Sequence, residues 1–318
     1  MITVEKATPE KFRSIFSKIQ SVIVGGKEAS ILILVAILAR GHVLIEDIPG
    51  VGKTLLAHAL ARATNLSFSR IQCTPDILPS DMIGFSLYDI NTGLSKYMKG
   101  AVMSNIVLVD EINRASPKSQ SCLLEVMEEY QATVDGVTHK VPLPFTVIAT
   151  QNPIEYVGTS PLPEAQLDRF MLRFSLGYPT NEQEIEMLGR FKSENPLDGI
   201  VPDLEQNELA ACQKYVDELE VSAAVRKYIV AVVRRTREHP QVQLGASPRS
   251  ELALMRASMA LAFLKGENFV SPDDVKALAK PVLSHRIILS SRAASRHNAE
   301  ASNAIIDDVL KSVPVPTR

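Results

Sequence analysis

Short apolar runs alternate with longer helix-like segments along the first half of the chain. Helix-like stretches lie between most of these runs, and one of them, residues 27–40, ends at Gly41, a residue type common at helix ends. Strands that alternate with helices are typical of a parallel sheet covered by helices. The pattern therefore predicts an α/β fold whose strands are residues 42–46, 67–73, 106–110, 145–150 and 170–176.

Two stretches interrupt this alternation and have the pattern of β-hairpins. Residues 86–100 carry the turn sequence Asn-Thr-Gly between apolar pairs, and residues 132–143 turn at Asp135-Gly136. Hairpins inserted into a parallel sheet usually lie at a surface that carries function. We therefore expect both hairpins to be exposed.

After residue 180 the strand patterns stop and the remaining chain is predicted to be helical. Residues 180–183 form a capping box, and residues 271–274 place proline and two acids in the first turn of another helix. Two further helices are predicted over residues 223–237 and 248–264. We therefore predict two domains, an α/β core over residues 1–180 and an all-helical domain over residues 181–318.

The composition excludes some classes of protein and leaves others open. The 318 residues include 34 basic and 36 acidic side chains, and the net charge of −2 gives no global attraction for nucleic acid or an anionic membrane. The short basic run at residues 234–237 is typical of a solvated helix face. Three cysteines without metal-ligand spacing suit a reducing compartment. Neither a bilayer-long apolar run nor a signal peptide is found, so we predict a cytoplasmic protein without membrane insertion.

The strongest chemical signal is a glycine loop between the first predicted strand and a helix. Gly50 and Gly52 would let backbone N–H groups turn towards a phosphate, and the start of the following helix adds its dipole. Lys53 would reach the β- and γ-phosphates, and the Thr54 hydroxyl would bind magnesium (Mg2+). The loop is therefore predicted to bind a nucleoside triphosphate through Gly50, Val51, Gly52, Lys53, Thr54 and Leu55.

One position departs from the full phosphate-loop pattern. Asp47 stands where the pattern G-x-x-x-x-G-K-[ST] has its first glycine. We expect only a small effect on binding, because the two later glycines form the cradle.

Two acids follow the buried strand 106–110 and supply the other half of the predicted site. At the carboxyl end of a parallel strand, Asp110 can hold magnesium and Glu111 can orient or deprotonate the attacking water. The alternative is a strand that ends in solvated acids, beside a loop that binds nucleotide passively. The combination with the glycine loop favours ATP hydrolysis.

Three further polar residues are candidates for the reaction, each with a plainer structural alternative. Asn152 follows the fourth strand and could contact the γ-phosphate or position water, or simply form a turn with the next proline. Arg169 could form a surface ion pair with Asp168, or act as an arginine finger in the site of a neighbouring subunit. Arg249 lies in the first turn of a helix, where a cation opposes the dipole, so we expect it to meet the γ-phosphate of a nucleotide held between the domains.

Taken together, these motifs resemble the MoxR family of AAA+ ATPases over nearly the whole chain. The most specific parts are residues 110–115, Asp-Glu-Ile-Asn-Arg-Ala, and residues 162–170. The resemblance implies a P-loop parallel sheet flanked by helices and followed by a helical lid. It also implies that the two hairpins are the helix-2 insert and the pre-sensor-1 insert.

The resemblance assigns roles to single residues. Lys53 and Thr54 correspond to Walker A, and Asp110 and Glu111 correspond to Walker B. Asn152 corresponds to sensor 1, Arg169 to the arginine finger and Arg249 to sensor 2. Val24 and Gly25 resemble the segment that lines the adenine pocket.

The resemblance further implies a homo-hexameric, chaperone-like ring that uses ATP and Mg2+. Its partners would be client or adaptor proteins, some with a von Willebrand A domain. Two competing functions stay open, a non-hydrolysing scaffold and a nucleic-acid motor. The motor has thin electrostatic support, because the hairpins carry only Lys96, Lys99, His139 and Lys140 as basic side chains.

Overall fold

The computed structural model describes residues 9–90, 93–153, 159–190, 196–290 and 299–316. Its centre is a five-stranded sheet in the order β2-β5-β8-β1-β9, with every neighbouring pair parallel. All five predicted strands are found in it, with slightly different ends. They are β1 (Val43–Glu46), β2 (Phe68–Gln72), β5 (Ile106–Asp110), β8 (Thr146–Gln151) and β9 (Leu172–Phe174).

Helices cover the sheet and lead into the second half of the chain. Before residue 180 they are α1 (Pro9–Val22), α2 (Lys27–Leu38), α3 (Lys53–Ala63), α4 (Pro79–Ile83), α5 (Pro117–Glu129) and α6 (Glu164–Leu167). After it they are α7 (Asn181–Arg190), α8 (Gln206–Asp217), α9 (Ala223–Glu238), α10 (Pro248–Lys265), α11 (Pro272–Leu283) and α12 (Ala299–Ser312). Short 3-10 turns lie at Ile112–Arg114 and Pro196–Gly199.

The capping boxes predicted at two helix starts are present. The Thr180 N–H donates to Gln183 Oε1 over 2.9 Å at the start of α7. At the start of α11, Asp274 Oδ2 accepts from the Ser271 N–H over 2.8 Å. These caps satisfy backbone N–H groups that have no partner within the helix.

Both predicted hairpins are present, and they touch each other. The first consists of β3 (Gly84–Asp89) and β4 (Leu94–Lys99), and the second of β6 (Gln131–Val134) and β7 (Val137–Lys140). The predicted turn residues Asn91 and Thr92 lie outside the described residues. The ring of Tyr97 stacks on that of His139, with centroids 3.7 Å apart. The two hairpins therefore form one joined surface feature.

The prediction of helices alone after residue 180 misses one short strand pair. Strands β10 (Val242–Leu244) and β11 (Ile288–Leu289) pair antiparallel beside α9. They are only three and two residues long, so their hydrophobic pattern is too short to separate from that of the helices around them.

A continuous apolar core crosses the predicted boundary at residue 180. It joins buried residues of α1, α2, β1 and α3 to those of α8 to α12. In α1 the buried residues Phe12, Ile15, Ile19 and Val22 recur at helical spacing. The division into an α/β core over residues 1–180 and a helical domain over residues 181–318 stays a prediction.

A second apolar cluster lies on the opposite face of the sheet, where α5 packs. Within the described residues, none of the helices has both the length and the apolar character that a membrane span requires. The sheet thus lies between two apolar layers. The glycine loop, Asp110 with Glu111, and Asn152 lie at the carboxyl ends of β1, β5 and β8.

Candidate functional site

The predicted glycine loop joins β1 to α3 and has the backbone conformation that its glycines allow. Gly50 has φ of 86° and Gly52 has φ of 92°, values in the left-handed region that side chains disfavour. A Cβ built on either glycine meets no heavy atom within 4 Å. The loop therefore turns its backbone towards open space, as a phosphate cradle requires.

Asp47, at the start of this loop, is bound entirely to the chain around it. Its Oδ2 atom accepts hydrogen bonds from the N–H groups of Leu176 and Gly177 over 2.6 Å and 2.9 Å, and from the Ser175 hydroxyl over 3.2 Å. Its Oδ1 atom accepts from the Ile48 N–H over 2.9 Å. The acid that replaces the usual glycine thus ties the loop to the segment that leads into α7.

Lys53 lies at the first position of α3 and points back along the loop. Its Nζ atom donates to the Asp47 carbonyl over 2.7 Å. Burial lowers the pKa of Lys53, and the negative charges of Asp47, Asp110 and Glu111 act in the opposite direction. The ammonium group therefore lies within the electrostatic reach of both acids that follow β5.

A cavity of about 670 Å³ opens beside the loop. Its walls come from the loop, from the segment before α2, from residues 176–179 and from α7. This volume is in the range of small-molecule sites in proteins. The candidate binding residues that line it are Val24, Gly50, Val51, Gly52 and Leu55.

Gly25 lies between two lining residues, Val24 and Gly26, without lining the cavity itself, and it faces the Gln183 side chain of α7. A Cβ built on it falls 2.8 Å from Gln183 Oε1, and its φ of 80° is also unfavourable for other residues. The backbone conformation therefore favours glycine here, whereas the end of the flexible Gln183 side chain can move to make room.

Asp110 ends β5 and is 6% exposed. Its Oδ2 atom accepts from Arg70 Nε over 2.7 Å, and its Oδ1 atom accepts from the Thr150 hydroxyl over 3.2 Å. Arg70 lies on β2, the neighbouring strand. Its contact with Asp110 was not predicted, because an arginine within a short strand has no distinctive sequence pattern. In this conformation the carboxylate that could hold a metal is paired with a guanidinium.

Glu111 follows in a left-handed backbone conformation, with φ of 57°. Its N–H donates to the Thr150 hydroxyl over 2.9 Å. Its Oε2 atom accepts from Arg114 Nη1 over 3.0 Å and from Gln72 Nε2 over 3.2 Å. The side chain is therefore held at the sheet edge by two donors that the sequence analysis did not identify.

Asn152 follows β8 and is buried, at 7% exposure. Strand β8 lies between β5 and β1, so its carboxyl end adjoins both the acids and the glycine loop. Thr150, on the same strand, bonds to both acids.

Arg169 and Arg249 meet at a different place, around Glu128 near the end of α5. Arg169 Nε lies 3.1 Å from Glu128 Oε2, and Arg249 Nη2 lies 2.7 Å from Glu128 Oε1. The hydrogen bond from Arg249 is the largest cause that lowers the pKa of Glu128. One carboxylate thus holds both candidate arginines.

The expected contact of Arg249 with a nucleotide held between the domains stays a prediction. Among the described residues, the wall that the second half of the chain contributes to the cavity comes from α7, and Arg249 is not part of the lining. The reason is the packing of α10, whose first turn faces α5 instead.

Thr54 and Asp110 offer hydroxyl and carboxylate oxygens, the ligand types that Mg2+ prefers. The described part of the chain contains no cluster of three or more His, Cys, Asp or Glu residues suited to a metal. A site with few protein ligands still fits Mg2+, which keeps several waters and takes phosphate oxygens as ligands.

Comparison with known proteins gives two family matches along the chain. The family described as ATPases associated with various cellular activities (AAA) matches residues 42–172, and the AAA lid domain matches residues 234–309. These matches include the glycine loop, both acids, Asn152, Arg169 and Arg249.

Individual relatives match along almost the whole chain. YeaC of Bacillus subtilis is 46% identical over 94% of this chain and 93% of its own length. Chaperone MoxR1 of Mycobacterium tuberculosis is 39% identical over 96% of this chain and 82% of its own length. The crystal structure of a candidate ATPase from Cytophaga hutchinsonii has a TM-score of 0.90 and 37% identity, and the match covers 97% of this chain and 96% of that one.

Proposed function

Because the chain belongs to the MoxR family of AAA+ ATPases, we propose that it hydrolyses ATP with Mg2+ and uses the reaction to remodel or mature partner proteins. The observation that carries the proposal is the cavity between the glycine loop and α7, with Lys53 in the field of the two acids after β5. A site for passive binding would not require a second acid at that edge.

The loop and the cavity wall would bind ATP. The N–H groups of residues 50–54 and the Lys53 ammonium would hold the phosphates, and Val24 and Gly25 would lie at the adenine end. The apolar residues of the wall, such as Leu176 and Met187, suit a flat aromatic base.

Residues at the carboxyl ends of β5 and β8, together with Thr54, would carry out the hydrolytic step. Thr54 and Asp110 would hold Mg2+, which neutralises phosphate charge when it is bound. Glu111 would accept a proton from the attacking water, and Asn152 would orient that water against the γ-phosphate. Before that, Arg70 must release Asp110, and Arg114 and Gln72 must release Glu111.

The two arginines around Glu128 favour an assembly over a single chain. In the described residues neither Arg169 nor Arg249 lines the cavity of its own chain, and both pair with one acid, which leaves a net positive charge at this place. We infer that they act on the γ-phosphate held by a neighbouring subunit of a homo-hexameric ring. An arginine finger supplied by a neighbour accelerates phosphoryl transfer by about 10³ to 10⁵.

The partners would be client or adaptor proteins, some with a von Willebrand A domain, in the cytoplasm. Support comes from the hairpin β3–β4, which exposes Phe85, Leu87 and Leu94 on one face. Exposed apolar side chains on one surface are typical of protein contacts. A basic surface for nucleic acid is not seen on the described parts of either hairpin beyond Lys96, Lys99, His139 and Lys140.

The test is steady-state ATP hydrolysis per protomer, measured against protein concentration with Mg2+ present. We expect the rate to rise and then saturate, because assembly completes the site. A rate that stays constant at high dilution, in a chain that sizing shows to be monomeric, would contradict the role of the ring.

Glu111→Gln is the control for hydrolysis itself. This variant keeps the size of the side chain and one acceptor oxygen and removes the base, so it should bind ATP and release little phosphate. Hydrolysis at the wild-type rate would remove the proposed role of Glu111.

A further inference from the structure

The turn after α11 reaches across the molecule to the segment that carries Arg169. Arg286 Nη2 donates to the carbonyl of Asp168 over 3.2 Å and to that of Phe170 over 2.9 Å. Its Nε atom lies 3.3 Å from Asp168 Oδ1. One guanidinium therefore binds the residues immediately before and after Arg169.

His285, the neighbour of Arg286, adds a further contact to the same segment. Its Nε2 atom lies 2.9 Å from the Phe170 carbonyl, and the residue is 6% exposed. Ser284, one residue earlier, accepts a hydrogen bond from Arg173 Nη2 over 3.4 Å. Three consecutive residues of the second half of the chain thus attach to residues 168–173.

The contact of Arg286 involves a buried charge. The side chain of Arg286 is 3% exposed, and burial lowers its pKa to about 10, while Asp168 acts in the opposite direction. The guanidinium therefore stays charged at neutral pH. A buried charge of this kind persists only where its partners have a fixed geometry, since a single lost partner leaves the charge uncompensated.

The carbonyls on both sides of Arg169 are therefore bound by Arg286, and these contacts do not involve the Arg169 side chain. That side chain is 29% exposed and ends on Glu128, which also holds Arg249. Arg249 and Arg286 both belong to the second half of the chain. The position of that half therefore determines where Arg169 can reach.

We propose that Arg286 is a positioning residue for Arg169. Through its contacts with Asp168 and Phe170, the place that the Arg169 guanidinium can reach depends on the position of the lid helices. The proposal rests on the proposed function, since it assigns Arg169 to a neighbour's site. Arg286 itself contacts neither the cavity nor the loop within the described residues. Its effect is on the turnover of the neighbouring site and not on ATP binding in its own chain.

The test uses Arg286→Lys, which keeps the positive charge but loses the planar guanidinium that reaches Asp168 Oδ1 through Nε and two carbonyls through Nη2. We expect ATP hydrolysis to fall about tenfold to a hundredfold, the size of effect that a displacement of about 1 Å can have on a catalytic group. The ATP dissociation constant, measured by calorimetry, should stay within about twofold of wild type. Arg235→Lys, which alters an exposed ion pair with Glu238, is the matched control and should change neither quantity.

A mixing experiment separates positioning from a general loss of stability. Arg286→Lys chains are assembled with an excess of Lys53→Ala chains, which have a damaged cradle and an intact Arg169. If Arg286 serves the neighbouring site, hydrolysis per Arg286→Lys chain should recover, because its intact cradle now meets an intact arginine. A fall without recovery, or no fall at all, would overturn the proposal.

Two further samples keep the outcome clear. Arg169→Ala mixed with Lys53→Ala tests the proposed function alone, and if that mixture does not recover, the assignment of Arg169 to a neighbour is what fails. Asp168→Asn alters the same contact from the other side, and it replaces Arg286→Lys if that variant does not fold. Recovery in the Arg169→Ala mixture without recovery in the Arg286→Lys mixture, or in the Asp168→Asn mixture that replaces it, would reject only the role of Arg286.

Discussion

At the scale of single residues, the carboxylate of Asp47 shows how a side chain inside a ligand-binding loop can serve the protein instead of the ligand. Its oxygens accept four hydrogen bonds, three of them from backbone N–H groups. Two of these donors belong to residues 176 and 177, which also line the cavity. The position of the loop and that of the cavity wall are therefore linked through one acid.

Replacing Asp47 tests this link. Asp47→Ala leaves the N–H groups of Leu176 and Gly177 without their partner, and hydrogen bonds to a charged group contribute about 1.5–3 kcal/mol each. We expect the free energy of unfolding, measured with urea, to fall by about 3 kcal/mol, and by less in Asp47→Asn, which keeps an acceptor. Asp76→Ala, at an exposed acid, should have little effect, and equal losses in the two alanine variants would contradict the role of Asp47.

The positive charge of Lys53 is expected to contribute to ATP binding. Lys53→Ala removes a cation from the loop, and a lost charged hydrogen bond of about 1.5–3 kcal/mol weakens ATP binding roughly tenfold to a hundredfold or more. Calorimetry measures the dissociation constant directly. Lys118→Ala is the matched control, because Lys118 also lies in the first turn of a helix but follows no glycine loop. Unchanged affinity for ATP in Lys53→Ala would mean that the glycine loop does not bind the phosphates through Lys53.

At the scale of helices and strands, His42 joins three elements at the start of β1. Its Nδ1 atom accepts from the Val147 N–H on β8 over 3.0 Å, and its Nε2 atom donates to the Met127 carbonyl on α5 over 3.0 Å. Complete burial lowers its pKa from 6.5 to about 4. The neutral imidazole is thus the form that the packed elements require.

This predicts a pH dependence of stability with a definite sign. Between pH 6.5 and 4 the unfolded chain binds a proton at His42 that the folded chain does not, so stability falls as the pH falls through this window. The total loss from His42 is about 3 kcal/mol, with a slope of at most about 1.4 kcal/mol per pH unit. His285, whose pKa burial also lowers, adds a loss of the same sign.

The measurement is urea unfolding of wild type and of His42→Gln across that pH range. The difference between the two proteins removes the contributions that they share, including that of His285. We expect the variant to have the flatter profile. Parallel profiles would mean that His42 is protonated equally in the folded and unfolded states.

The elements were predictable because each leaves a local pattern. The sheet strands are short apolar runs between polar segments, and the hairpins and helix starts carry turn and capping residues. The contacts between distant residues have no such pattern. Glu128 and Arg249 are 121 positions apart, and Arg70 and Asp110 are 40 apart, so the sequence identified the candidate arginine and acid but not their partners.

At the scale of the whole molecule, the site is divided between two surfaces. The cavity lies between the glycine loop and α7, whereas Arg169 and Arg249 meet at Glu128 near the end of α5. Within the described residues, neither Arg169 nor Arg249 lines the cavity. A complete site under the proposed function therefore needs two chains.

Arg169→Ala tests this division. The variant should bind ATP with unchanged affinity and hydrolyse it about 10³-fold more slowly, the effect expected from loss of an arginine finger. Affinity is measured by calorimetry and turnover by phosphate release. Arg226→Ala, at an exposed arginine of α9, should behave as wild type. Unimpaired turnover in Arg169→Ala would make Arg169 an ordinary surface residue.

The apolar core that crosses residue 180 has a consequence for how such chains can diverge. Helices α1 and α2 rest on the second half through Lys11–Glu208, Lys18–Asp203 and the bond from Gln213 to the Ile37 carbonyl. A recombination event that joined the first half of one relative to the second half of another would separate these matched pairs. Recombination at residue 180 should therefore yield chains that fold poorly, and we expect the two halves to be inherited together.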